Sequence, residues 1–68
     1  MNYRIIRATD KVRGAQFLVL EMEDGRFAVG FNKAGRVIVD GVQRWDDQTD
    51  AYIEALDRLA ERKKTKRR

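Results

Sequence analysis

Over the first 39 positions apolar and polar residues alternate in short stretches punctuated by glycine, the period of strands rather than of helices. The clearest stretch is FLVLEMEDGRFAVGF, residues 17–31. Asp24-Gly25 at its centre is the pair favoured by a two-residue type I′ turn, in which both positions need φ > 0. That turn predicts Glu23 opposite Arg26, Met22 opposite Phe27, Leu20 opposite Val29 and Leu18 opposite Phe31. The large apolar residues of both strands then share one face. In FNKAGRVIVD, residues 31–40, Lys33-Ala34-Gly35 suits a three-residue loop with glycine in the left-handed position. It predicts Asn32 opposite Arg36, Phe31 opposite Val37 and Val29 opposite Val39. NYRIIRAT supplies a further strand, with Tyr3 and Ile5 preferred on the inner face, and DKVRG connects it to the next.

After Trp45 the period changes. At about 100° per residue, Tyr52, Ile53, Leu56, Leu59 and Ala60 form one apolar stripe. Asp46 or Asp47 can cap this helix, and further acids in its first turn suit the positive end of the helix dipole. The predicted fold is α+β: a four-stranded antiparallel β-meander with one C-terminal α-helix packed on one face (ββββα). Leu20, Val29 and Leu56 should be its deepest residues, and Trp45 should close one edge. The second face carries Phe17, Val19, Ala28, Gly30 and Ile38, which one helix cannot also cover. Phe17, Val19 and Ile38 are therefore candidate partner-binding residues, toward another protein or a second copy of the chain. Scattered surface apolars are the plainer reading.

Sixty-eight residues make one domain, here 1–61, with a basic C-terminal tail at 62–68 that can also extend the helix. The chain has no Cys, His, Ser or Pro. A thiolate metal site, a disulfide and the usual nucleophile–imidazole pairings are excluded by residue type. No enzymatic activity and no cofactor are expected. No apolar run approaches the roughly 20 residues of a membrane span. Together these features predict a soluble, cytoplasmic protein without a membrane partner.

The net charge of +4 hides a strong partition. Residues 1–39 carry +3, residues 40–61 carry −5 and residues 62–68 carry +6. The body is therefore mildly acidic and the tail holds the excess. Arg62, Lys63, Lys64, Lys66, Arg67 and Arg68 can neutralise phosphates, with Arg4, Arg7, Lys11 and Arg13 as further candidates. Nucleic acid is the first expected partner. On the predicted helix, Asp47, Asp50, Glu54, Asp57 and Glu61 fall within about 80° of one another. Solvated helix faces usually mix signs, because opposite charges four residues apart stabilise and like charges cost. The single sign marks a candidate docking stripe for a basic partner. In size and helix-on-sheet plan the chain resembles small phage-encoded inhibitors, including anti-CRISPR proteins. That resemblance implies an alternative function: an inhibitor that docks its acidic helix on a nucleic-acid-binding protein complex.

Overall fold

The computed structural model describes residues 2–64. Strands β1 (Tyr3–Ala8), β2 (Ala15–Met22), β3 (Phe27–Lys33) and β4 (Arg36–Val39) precede helix α1 (Gln48–Lys64). The strands form one antiparallel sheet in chain order, and α1 packs on β2 and β3. This is the ββββα plan that the periodicity predicts.

Both hairpin registers differ from the expected ones by one residue. Across β2–β3, Leu20 faces Ala28, Val19 faces Val29, Leu18 faces Gly30 and Phe17 faces Phe31. The loop has three residues, Glu23-Asp24-Gly25. Met22 N–H donates to the Arg26 carbonyl at 2.8 Å, and Gly25 N–H donates to the Met22 carbonyl at 3.0 Å. Asp24 Oδ1 accepts the Arg26 N–H at 3.0 Å. This side-chain turn supports the longer loop, and only Gly25 within it is left-handed, at φ 84°.

The β3–β4 connection departs in the opposite sense. Lys33 faces Arg36, Asn32 faces Val37, Phe31 faces Ile38 and Gly30 faces Val39. Ala34 and Gly35 make a two-residue turn with φ of 55° and 80°, the type I′ signature. Arg13-Gly14 repeats it with φ of 55° and 77°, where Val12 and Ala15 exchange both backbone hydrogen bonds.

A one-residue slip turns every side chain to the other face. The single face of large residues thus becomes two cores. Val19 and Val29 pack against Ala51 and Ala55 of α1, flanked by Ile6, Phe17, Phe27, Trp45 and Tyr52. Leu18, Leu20, Met22 and Ala28 form the second core on the bare face, with Val37 and Val39 against it. Leu20 and Val29 are buried as expected, but on opposite faces. Ala28 and Gly30 belong with Leu20 rather than with Phe17. Gly30 has a steric reason: a Cβ there would lie 2.9 Å from Leu20 Cδ1.

The helix is also turned. Its buried residues are Ala51, Ala55 and Leu59, about one residue position round from the expected stripe. Leu56 is 40% exposed and Ile53 51% exposed, so neither is core. Alanines win because Val19, Val29 and the flanking aromatics already fill the space above the sheet, and only small residues allow the helix to approach.

The first strand reverses the expected facing: Tyr3 and Ile5 pair with Met22 and Leu20 on the bare face and are 39% and 50% exposed, while a bulge between Ile5 and Arg7 turns Ile6 toward the helix. At the other margins the expectations hold more closely. Thr9 Oγ1 accepts the Phe17 N–H at 3.1 Å, ending the β1–β2 ladder with a buried hydroxyl. Trp45 closes an edge by exchanging two 2.8 Å backbone bonds with Phe27. Asp47 is the helix cap: its Oδ1 accepts Thr49 N–H at 2.8 Å and its carbonyl accepts Ala51 N–H at 3.2 Å.

Candidate functional site

The register places cations from separate segments at one end of the molecule. Ala15 pairs with Lys33, and Lys33 pairs with Arg36. Ala15 also closes the turn that carries Arg13, and Lys11 immediately precedes Val12 of that turn. The last turn of α1 arrives at the same place. Arg62 Nε donates to the Val12 carbonyl at 3.3 Å, and Arg13 donates to the Arg62 carbonyl at 3.2 Å. Arg13 thereby satisfies a carbonyl at the negative end of the helix dipole. Lys63 and Lys64 follow in the helix and are exposed. The first half of the basic run is therefore helix rather than tail. Lys66, Arg67 and Arg68 lie outside the described residues.

Lys33 and Arg36 were not legible as site residues in the sequence. They stand directly opposite each other only in the two-residue turn, and a three-residue loop offsets them. A like-charged pair directly across two strands is unfavourable by itself. Both side chains sit on the helix side of the sheet, one row beyond Phe17, Phe31 and Ile38, because alternate residues of a strand share a face.

The first-strand arginines divide differently. Arg4 is in an ion pair with Glu21, in the row of Phe27 at the opposite end of the sheet. Arg7 lies over the Tyr52 ring, 4.0 Å from its centroid. Arg7 thus secures α1 to β1 by a cation–π contact. Neither joins the basic end.

Acidic residues collect at the other end and along one flank of α1. Asp46 is paired with Arg26 at 3.0 Å, and Asp47 is the cap. Because the helix is turned, Glu54 of the acidic stripe comes round to the β4 side and is half-buried. Glu54 accepts from Arg58 Nε at 2.8 Å, and the same guanidinium donates to Asp40 Oδ2 at 2.9 Å. Burial disfavours the Arg58 charge, but its bonds to Glu54 and Asp40 outweigh this and hold its pKa above the ordinary value. The Val42 N–H, and then Arg58, hold the Asp40 carboxyl below the usual range. Asp50 and Asp57 remain exposed, and Glu61 sits 4.0 Å from Lys64.

Of the three candidate partner-face apolars, Val19 is fully buried under α1 and cannot meet a partner. Phe17 is half-buried on the same side, and Ile38 is 63% exposed beyond the helix. The proposed open face of Phe17, Val19 and Ile38 is thus the helix-covered face. Among the described residues no cluster of acidic side chains could hold a metal ion, and no helix is long and apolar enough to cross a membrane.

No family model matches the chain, and no curated protein or solved structure shows significant similarity to it.

Proposed function

We propose that the protein is a non-enzymatic nucleic-acid-binding module whose contact surface is the basic end. One observation carries this reading: Lys11, Arg13, Lys33, Arg36, Arg62, Lys63 and Lys64 come from separate segments and meet at one end of a body that is otherwise acidic. The facing Lys33 and Arg36 add weight, since folding alone gains nothing from them. Ammonium and guanidinium groups at this end would take phosphate oxygens, releasing counterions. Binding would be sequence-tolerant and would weaken steeply as salt rises. The contact set keeps Lys11, Arg13 and Arg62–Lys64 from the sequence reading, adds Lys33 and Arg36, and leaves out Arg4 and Arg7.

The test is the double substitution Lys33→Gln and Arg36→Gln, assayed by fluorescence anisotropy with a labelled oligonucleotide across a salt series. The slope of log K against log salt should become shallower by about 2, roughly one per lost phosphate contact. An unchanged affinity and slope would remove this end from the interface. The second reading, inhibition by docking of the acidic helix, draws on the one-signed flank of α1. It ranks lower because Asp47 caps the helix and Glu54 is held by Arg58. Asp50→Lys with Asp57→Lys separates the two: nucleic-acid binding should hold or strengthen, whereas docking on a basic partner should fail.

A further inference from the structure

Aromatic surface lies immediately behind the charges. On the helix side of the sheet, the row after Ala15, Lys33 and Arg36 is Phe17, Phe31 and Ile38. The Phe17 and Phe31 rings have centroids 5.2 Å apart and are tilted by 53°. The Arg62 guanidinium carbon lies 5.5 Å from the Phe31 centroid. Between α1 and β4 runs an open groove of about 180 Å³, lined by Val29, Gly30, Phe31, Ile38, Asp40 and Arg58. That is smaller than the roughly 300–1,000 Å³ that encloses a whole small-molecule ligand. It suits one flat fragment of a larger ligand.

We propose that this groove receives an unpaired base, so that the nucleic acid held at the basic end is single-stranded. The proposal rests on the reading given under Proposed function and names its substrate class. A duplex keeps its bases stacked inside and offers this surface only phosphates. A single strand can turn a base outward onto an aromatic ring. Here the base lies against Phe31 and Ile38, with the Arg62 guanidinium beside the ring. The neighbouring phosphates reach Lys33 and Arg36 one row away, and Lys63 and Lys64 at the helix end. At the far end of the groove Asp40 and Glu54 enclose Arg58, a cluster with one more negative charge than positive. It repels phosphate, so the strand's backbone stays at the basic end while the base points inward.

The experiment compares three labelled ligands of equal length on the full chain: a single-stranded oligothymidylate, an abasic single strand with the same phosphates, and a duplex. The single strand should bind roughly tenfold more tightly than the abasic strand. Phe31→Leu should remove most of that advantage, and leave duplex binding unchanged. Ile38→Ala, at a position that is 63% exposed and with no change of charge, should act in the same direction. Equal binding of the base-bearing and abasic strands, with Lys33→Gln/Arg36→Gln still weakening both, would overturn the groove and keep the basic end as a phosphate site. If the charge substitutions also change nothing, the nucleic-acid reading itself fails.

Discussion

On the helix side of the sheet, Val19 and Val29 are covered by Ala51 and Ala55. On the other side, Leu18 and Leu20 have no described helix above them, yet are 3% and 0% exposed. The helix side reaches this with large residues on the strands and small ones on the helix. The bare side sets large residues on β2 against small ones on β3, Leu18 opposite Gly30 and Leu20 opposite Ala28. Val37 and Val39 close it from β4. In both places volume complementarity, rather than apolar matching, decides what meets what. A sheet can therefore hold a core on a face that no helix covers, provided that its inner strands differ in side-chain size.

The largest expected effect tests whether the bare face is a true core. Leu20→Ala should lower stability by about 2–5 kcal/mol in urea unfolding. A loss below about 1 kcal/mol would mean that Leu20 is not enclosed, and the comparison between the faces would collapse. The next effect sharpens the helix side. Ala55→Leu should cost about 1–3 kcal/mol, because the added carbons have no space between α1 and Val19. An unshifted urea midpoint would place the helix farther from the sheet than described here.

These two sites also show what the sequence made legible. The number of strands, their chain order, the helix, a cap at Asp46 or Asp47 and the edge at Trp45 all follow from local signals: glycine turns, a change of period and a capping acid. The register does not. Phe17–Leu20 is apolar at both parities, so alternation cannot select a face, and Asp24-Gly25 serves a three-residue loop as readily as a two-residue one. Helix rotation follows the same logic, since Ala51 and Ala55 look weak beside Ile53 and Leu56 until the volume of the facing residues is known. The basic run at the C-terminus is visible as a charge count, but the part that Lys33 and Arg36 play depends on the very turn that local signals leave open.

The smallest effect addresses that turn. Ala34 holds φ 55°, a left-handed conformation costly for a residue with a Cβ. Ala34→Asn should raise stability by a few tenths to about 1 kcal/mol, since asparagine tolerates this region better. Unchanged or lower stability in thermal melts would indicate the three-residue loop. Lys33 and Arg36 would then no longer stand face to face.

Strand order that follows chain order has a kinetic consequence. Each ladder in the sheet joins strands adjacent in sequence, through loops of a few residues, so little chain entropy is lost before each pairing is rewarded. The docking of α1 on β2 and β3, by contrast, spans a long separation. A chain with this distribution can zip its hairpins one after another, on the microsecond timescale of single hairpins, and collect the helix afterwards. Its transition state should therefore resemble the β2–β3 hairpin, with the cation–π contact of Arg7 on Tyr52 and the bonds of Arg62 to the Val12 turn forming on the downhill side.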